Sequence, residues 1–305
     1  MEFLAMLQSA SRPDVSVVVV NYNAGTLLAD CVAAVLPQSR EVLVVDNGSH
    51  DGSIEHLAAR FADEPALRVL LSGRNLGFAA ACNLGIAAAQ CGNLLFLNPD
   101  CCLQPGAVPH LQATLERHPR AALVGGLLLN PDGSEQRGCR RRFPGLGSAF
   151  VRLFGLTALS RRWPRLLAPV DLHGEPLPGG AEPVDAVSGA CMLVRGAALR
   201  EVGGWDEGYF LHCEDLDWCM RFHRAGWQVL FDPTARGIHH QGTCSRAVPL
   251  FVEWHKHKGM LRYFRKFNSG LVASLLLLPV AAGVWAHFSL LALRQLGRRL
   301  CGRSV

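Results

Sequence analysis

The chain has 305 residues, 50% of them hydrophobic, and a formal net charge of +5 at pH 7. This length fits one large α/β domain with an appendage or two smaller domains, and a mean hydropathy of +0.18 indicates that some apolar surface faces a membrane. The 11 cysteines form no CxxC pair and no apolar leader precedes the first predicted strand, so we expect reduced thiols in a cytoplasmic protein and exclude a secreted, disulfide-stapled class.

The first predicted elements form a βαβ unit. Residues 15–20 are rich in valine, which predicts a parallel strand buried on both faces. A helix over 26–36 ends at a proline, and a second buried strand over 41–45 follows it. Ligands bind beyond the carboxyl ends of such strands, which places Asp46 at an expected ligand edge. The alternative is a turn-forming aspartate in a DNGS loop, which is favoured when the residue is taken alone.

The next segments continue the alternation of helix and strand. We predict a helix over 53–61, a strand over 67–71, a loop at 74–78 and a helix over 79–90. No GxGxxG motif is present, which argues against a nicotinamide enzyme. A fourth strand over 93–97 is followed by the sequence NPD, whose aspartate can hold a hard divalent cation or simply form a turn.

A basic segment lies in the middle of the chain. Residues 137–165 contain eight arginines and no acid, together with several large apolar residues. We interpret the segment as an amphipathic flap that meets an anionic membrane or the diphosphate of a lipid-linked acceptor, with a solvated basic loop as the alternative. It belongs to an insertion over 137–183 that we expect to be partly loop-like.

Three acids stand within four positions near the start of a predicted helix. Apolar residues recur at helical spacing after them and Gly226 ends the pattern, so Glu214, Asp215 and Asp217 lie at the helix N-terminus. The helix dipole favours carboxylates there. The three acids either take part in a reaction or only interact favourably with the helix dipole.

Two further segments flank that helix in sequence. A strand predicted over 184–194 contains Gly189, which lets a sugar approach the backbone closely. A short strand predicted over 228–231 precedes the pair His239 and His240. Neutral imidazole can ligate Mn²⁺ or Mg²⁺ beside a carboxylate, although a structural histidine is an equal alternative.

Residues 271–293 form a run of 23 residues without a charge, with basic residues on both sides. A helix of this length spans about 34 Å, enough for a hydrocarbon core of about 30 Å. Pro279 and His287 weaken the case for a simple transmembrane helix, so a re-entrant or interfacial hairpin is also open. Positive charge on both sides gives no orientation.

A series of motifs resembles a known family. The stretches VSVVVVNYN, VVDNGSHDGS, GRNLGFAAACN, FLNPD, GGWDEGYFLHCEDLDWCMR and HHQG occur in order over residues 15 to about 245. Together they resemble the inverting family 2 glycosyltransferases, and most of all the bacterial rhamnosyltransferases. The resemblance implies the GT-A fold, an α/β class with a Rossmann-like, mostly parallel sheet flanked by helices, over residues 1–250. A helical, membrane-associating segment would occupy 251–305.

The resemblance also implies roles for individual residues. Asp46 would bind the nucleotide base, Asp215 would be the catalytic base, and Glu214 and Asp217 would be supporting acids that place or charge it. Asp100 would coordinate Mg²⁺ or Mn²⁺ on the donor diphosphate. His239 would be a further metal ligand.

Other binding residues are drawn from the same motifs. The predicted donor contacts are Asn21, Asn23, Asp46, Asn75, Gly77, Asn83, Asn98 and Asp100. The predicted acceptor contacts are Gly189, Trp205 and Asp206. The chain departs from the family at two points, because NPD carries one carboxylate where many relatives have two, and Cys82 replaces an arginine that many metal-dependent relatives carry.

We therefore predict an inverting glycosyltransferase at the cytoplasmic face of the plasma membrane, with no nucleic-acid partner. By association, the resemblance points to dTDP-L-rhamnose as donor and a polyprenyl-diphosphate-linked saccharide as acceptor, in cell-surface polysaccharide synthesis. Two alternatives stay open. A sugar-phosphate nucleotidyltransferase should have a Gly-rich phosphate loop after the first strand, which NYNAG is not. A non-catalytic, membrane-bound sugar-binding protein would be expected to lose Asp100 or Asp215, and both are present.

Overall fold

The structure, a computed structural model, describes residues 12–144, 170–240 and 249–300. Its first half is a parallel sheet with crossover helices, as predicted. The four strands are β1 (Val15–Asn21), β2 (Glu41–Asp46), β3 (Leu67–Leu71) and β4 (Asn93–Leu97). The helices between them are α1 (Leu27–Val35), with a 3-10 turn over Leu36–Gln38, α2 (Ser53–Arg60) and α3 (Phe78–Ala88). Every residue of β1 and β2 is buried, because the sheet is covered on both faces.

The second half of the sheet contains elements that the sequence analysis did not predict. These are β5 (Cys101–Leu103), α4 (Ala107–Arg117) and β6 (Ala121–Leu129). A small ribbon pairs β7 (Arg140–Arg141) with β9 (Ala186–Val187), and β8 (Glu182–Pro183) pairs with β11 (Gln228–His239). Strand β10 (Cys191–Arg195) is antiparallel to both β4 and β6, whereas β11 is parallel to β6. The described strands of the main sheet follow the order β3-β2-β1-β4-β10-β6-β11-β5.

Two predicted strands differ from the structure. The strand expected over 184–194 is broken between β9 and β10, because the chain turns at 188–190 and β9 leaves the main sheet for the ribbon. Gly125 of β6 makes room for this ribbon, since a Cβ there would lie 2.6 Å from Val187 Cβ. The strand expected over 228–231 instead continues to His239, past an irregular register between Asp232 and Arg236.

Two pairs of helices lie toward the end of the chain, one before β11 and one after it. Helices α5 (Gly196–Val202) and α6 (Glu214–Arg224) follow β10, and a hairpin of α7 (Pro249–Phe267) and α8 (Leu271–Leu300) follows β11. The hairpin is held by ring contacts, including Trp254 with Trp285 at 4.6 Å between centroids, and by His257 Nε2, 2.9 Å from His287 Nδ1. Within the described residues, one stretch, Ser274–Arg294 of α8, is long and apolar enough to cross a membrane, by length and composition only.

Candidate active site

The carboxyl end of the sheet brings together two residues that are far apart in sequence. Strand β11 runs antiparallel to β5 with His239 opposite Cys101, so the imidazole lies beside Asp100. His239 Nε2 is 3.0 Å from Asp100 Oδ1, and both residues are only 4% exposed. On the other side of the ring, His239 Nδ1 is 2.6 Å from Gln136 Oε1. The hypothesis that Asp100 and His239 act together therefore has a geometric basis.

The hydrogen bonds around the imidazole decide what Nε2 can bind. Gln136 donates through Nε2 to the backbone oxygen of His239 at 3.3 Å, which turns its Oε1 toward the ring and makes Nδ1 the donor. The lone pair of a neutral imidazole is then on Nε2, where Asn98 Nδ2 lies 3.3 Å away. Because this lone pair also faces a carboxylate oxygen of Asp100, the two acceptors need a cation or a proton between them. This is the donor set and outer-shell support typical of a divalent-metal ligand pair.

The N-terminus of α6 holds Asp215 in a defined position. Its Oδ1 accepts from the amide of Leu216 at 2.7 Å, and its Oδ2 accepts from the amide of Gly189 at 3.2 Å and from Arg141 Nη2 at 2.5 Å. A Cβ on residue 189 would lie 3.4 Å from Asp215 Cβ, so the turn between β9 and β10 passes directly beside the carboxylate. Asp215 is thus fixed by Arg141 of the ribbon, by the Gly189 amide of the turn before β10 and by the Leu216 amide of its own helix.

Three arginines of the predicted basic flap make internal ion pairs. Arg140 is 2% exposed and binds Glu135 at 2.8 Å, while Arg142 binds Glu175 at 2.9 Å. Arg141 pairs with Asp215; burial opposes the guanidinium charge, but the carboxylate outweighs it and the pKa of Arg141 is raised. The expectation that this segment meets a membrane or an acceptor diphosphate stays a prediction, and the structure shows that three of its charges are already paired. Residues 145–165 of the segment lie outside the described residues.

The two acids beside Asp215 have different surroundings. Glu214 is buried, and its Oε2 has no hydrogen-bond partner among the described residues. Burial, followed by the charge of Asp215, raises the pKa of Glu214 to about 8, so this acid holds its proton at neutral pH. Asp217 does not line the cavity; it bonds Arg221 Nε at 2.8 Å and forms an ion pair with Lys266 Nζ at 2.7 Å. The role of Asp217 as a supporting acid stays a prediction, and in the structure Asp217 links α6 and α7.

A cavity of about 650 Å³ contains most of the predicted site. The predicted residues that line it are Asn75, Gly77, Asn98, Asp100, Gly189, Glu214, Asp215 and His239. The size suits a ligand with several rings, since such sites usually occupy about 300–1,000 Å³. The pair Asp100 and His239 thus shares one space with Asp215.

The polar residues after β1 and β2 form a network beside the cavity. Asn21 Nδ2 donates to Asp46 Oδ1 at 3.0 Å and to Ser53 Oγ at 2.8 Å, and Asn23 Oδ1 accepts from the amide of His50 at 2.8 Å. None of Asn21, Asn23 and Asp46 lines the cavity, although Tyr22 does. The contact of Asp46 with a nucleotide base stays a prediction.

Three other predicted contacts have structural partners and do not line the cavity. The Asn83 amide bonds the backbone N and O of Trp205, at 2.9 and 3.0 Å, so it fixes the loop before α6. Trp205 is 3% exposed and packs against Phe96 and Trp218. The assignment of Asn83 to the donor and of Trp205 to the acceptor stays a prediction, while in the structure both side chains serve packing and loop closure.

Asp206 is likewise engaged elsewhere. It binds Arg262 Nη2 at 2.8 and 3.0 Å and Lys266 Nζ at 2.6 Å. Burial opposes its ionisation, yet Lys266, the amide of Gly208 and Arg262 lower the pKa of Asp206 to about 2. Its predicted acceptor contact stays a prediction, and in the structure Asp206 anchors α7.

Sequence reasoning missed several lining residues. Arg141 was assigned to a flap that meets a membrane or an acceptor diphosphate, and Gln136 is an isolated amide with no sequence signal. Phe251, Lys256 and Met260 reach the cavity from α7. That helix was assigned to a membrane-associating segment, and only the tertiary fold shows that one of its faces closes the site.

Comparison with solved structures defines the class of protein. GalNAc-T7 with UDP, GalNAc and Mn²⁺ has a TM-score of 0.56 at 16% identity, covering 90% of this chain and 54% of its own. The mannosyltransferase PcManGT from Pyrobaculum calidifontis, in complex with GDP-Man and Mn²⁺, has a TM-score of 0.55 at 17% identity, covering 95% of this chain and 81% of its own. The fold is therefore that of the GT-A glycosyltransferases, as expected.

Sequence comparison then places the chain in a family. The model of Glycosyl transferase family 2 matches residues 16–173, and that of Glycosyl transferase family group 2 matches 171–301. The N-acetylglucosaminyl-diphospho-decaprenol L-rhamnosyltransferase of Mycobacterium tuberculosis (strain ATCC 25618 / H37Rv) is 33% identical over 268 residues, 83% of this chain and 85% of the relative. Rhamnosyltransferase WbbL of Escherichia coli (strain K12) is 36% identical over 84 residues, 27% of this chain and 31% of the relative. The chain belongs to glycosyl transferase family 2, and it is a glycosyltransferase.

Proposed function

We propose that this glycosyltransferase moves L-rhamnose from dTDP-L-rhamnose to a hydroxyl of a polyprenyl-diphosphate-linked saccharide, with inversion, in cell-surface polysaccharide synthesis. The observation that carries the chemistry is the shared cavity, lined by Asp215 and by the pair Asp100 and His239. The relatives that are named rhamnosyltransferases support the sugar, and the diphospho-decaprenol in the name of one of them supports the acceptor.

Asp215 is the general base in this proposal. It accepts the proton of the acceptor hydroxyl while the hydroxyl oxygen forms a bond to the anomeric carbon of the donor sugar. The bond between that carbon and the diphosphate oxygen breaks, and its electron pair leaves with the diphosphate. A single displacement of this kind inverts the anomeric configuration.

Asp100 and His239 would hold Mg²⁺ or Mn²⁺, as the facing Oδ1 and Nε2 atoms indicate. The cation would neutralise charge on the leaving diphosphate. Within the described residues no group of three or more His, Cys, Asp or Glu side chains could hold a metal, so the diphosphate would supply further oxygens. Gln136 fixes the imidazole so that its Nε2 lone pair points at the ligand.

A nucleotide-sugar screen tests the donor. Purified protein is incubated with Mn²⁺ and a panel of nucleotide sugars, and release of nucleoside diphosphate is followed by mass spectrometry. We expect dTDP-L-rhamnose to give the fastest release, with a further increase when polyprenyl-diphosphate-linked N-acetylglucosamine is added. A different preferred nucleotide sugar would refute the donor assignment and leave the family unchanged.

We further infer that α8 associates with the cytoplasmic face of the plasma membrane. Its leucines point outward, with Leu275 67% and Leu278 79% exposed, and only 6% of its most apolar window is buried. An exposed apolar surface of this kind is typical of contact with lipid. Arg140 and Arg141, whose side chains are 2% and 15% exposed, are held in ion pairs, which argues against a second membrane contact by these two residues.

Lysine substitutions on the outer face of α8 should release the protein from vesicles. Lysine is unfavourable in contact with the apolar part of a membrane, so Leu275→Lys with Leu278→Lys should reduce flotation with liposomes. Leu71→Lys is the matched control, because Leu71 is 72% exposed but lies on β3, at the edge of the sheet. Equal flotation of both variants would show that α8 does not carry the membrane contact.

A further inference from the structure

We propose that Arg141 is the positioning residue of the general base: it fixes the Asp215 carboxylate and leaves Oδ1 as the oxygen that receives the acceptor proton. This inference rests on the proposed role of Asp215. Arg141 stands on the ribbon strand β7, 74 positions from its partner, and both side chains are 15% exposed. It also donates to the backbone oxygen of Val187 at 2.9 Å, which joins the guanidinium to the opposite strand of the ribbon.

The hydrogen bonds of the carboxylate identify the reacting oxygen. Oδ2 accepts two bonds, from Arg141 Nη2 at 2.5 Å and from the Gly189 amide at 3.2 Å. Because a carboxylate oxygen has two lone-pair sites, Oδ2 is fully used. Oδ1 accepts one bond from the Leu216 amide at 2.7 Å, which leaves one site for the proton of the acceptor hydroxyl.

Arg141 also separates the roles of two adjacent acids. It faces Asp215 on one side of α6, while the Glu214 carboxyl is buried without an ion pair among the described residues. A fixed cation beside one carboxylate directs the negative charge there, so the proton stays on the neighbour. Without the guanidinium, no cation would hold the negative charge on Asp215 in preference to Glu214.

Other titratable groups lie around Arg141 and Asp215 on three segments of the chain. His212 and Cys213 lie on the loop before α6, Glu214 and Cys219 on α6 itself, and Glu253 and Lys256 on α7. Burial raises the pKa of both cysteines and lowers that of His212, which keeps all three neutral near pH 7. Lys256 is paired with Glu253 at 3.3 Å. Arg141 is therefore the charged group in direct contact with the base.

The test compares Arg141→Met and Arg141→Lys with Arg142→Met. Arg142 is the matched control, because it is the next residue, is ion-paired to Glu175 and does not line the cavity. Transfer from dTDP-L-rhamnose to polyprenyl-diphosphate-linked N-acetylglucosamine is followed from pH 5 to 9. We expect Arg141→Met to lower kcat more than it changes acceptor KM, and to move the acidic limb of the profile upward by about 1–3 pH units.

Arg141→Lys should move the acidic limb of the pH profile part of the way back to its wild-type position, since lysine keeps the charge but loses the planar geometry of the guanidinium. The control should keep the wild-type profile. An unmoved limb in Arg141→Met, or a shift of the same size in Arg142→Met, would overturn the inference. If Asp215→Asn still transfers sugar, the proposed base itself fails, which is a different result.

A double-mutant cycle on stability needs no turnover. The free energy of unfolding is measured for Arg141→Met, Asp215→Asn and the double variant, and then for Arg142→Met with Asp215→Asn. Residues in contact are coupled, whereas distant ones add independently. We expect coupling for Arg141 and none for Arg142, and the absence of coupling for Arg141 would contradict the pair on which the inference depends.

Discussion

Asp215→Asn should remove sugar transfer while leaving the fold and nucleotide binding nearly intact. The amide has the size of the carboxylate and can still accept from Arg141 and from the Gly189 amide, but it cannot take a proton from the acceptor hydroxyl. Loss of a general base lowers rates by about 10²–10⁴-fold. The measurement is the initial rate of transfer, with thermal unfolding and binding of dTDP as checks on folding.

Glu214→Gln provides the comparison within the same turn of helix. Since burial and the charge of Asp215 raise the pKa of Glu214 to about 8, the glutamine replaces a side chain that is already neutral at pH 7. We expect a much smaller loss of transfer than in Asp215→Asn. If the two variants are equally inactive, the base cannot be assigned to Asp215 alone.

Asp100→Ala should abolish the dependence of nucleotide binding on metal. The variant removes the carboxylate that faces His239 Nε2, and with it the negative charge that the pair Asp100 and His239 would offer a cation. Calorimetry with dTDP is carried out with and without Mn²⁺, and we expect Mn²⁺ to strengthen binding to the wild type but not to the variant.

The control for Asp100→Ala is Asp30→Ala. Asp30 is about half exposed and pairs with Arg60 on the surface, where an ion pair contributes little. This variant should respond to Mn²⁺ as the wild type does. Wild-type transfer that persists unchanged in EDTA would show that the pair does not hold a metal.

The parallel half of the fold could be predicted because its signals are local. A short valine-rich run such as 15–20 reports burial on both faces, and a proline or glycine marks where each helix ends. Strand β6 was missed because its sequence contains two adjacent glycines, of which Gly125 admits the ribbon at Val187 and Gly126 admits the backbone of β11 at Ala235, and both contacts are visible only in three dimensions. The extension of β11 was missed because Pro233 would normally end a strand.

The site was predictable in its acids but not in their partners. Asp100 and Asp215 follow from strand ends, a helix start and the family motifs, all of which are short-range patterns. The contact of Arg141 with Asp215 joins residues 74 positions apart, and that of Gln136 with His239 joins residues 103 apart. From sequence alone, a run of three arginines is typical of a surface segment, because nothing local shows that each one meets a different carboxylate.

The link between α6 and α7 limits how far the α7 side of the cavity can move. Asp217 is fully buried and pairs with Arg221 of its own helix and with Lys266 of α7, which also binds Asp206. Moving α7 outward would leave Asp217 with Arg221 alone and would separate Asp206 from both Lys266 and Arg262. We therefore expect the wall that α7 forms to keep its position when a substrate binds, because several ion pairs would have to break together.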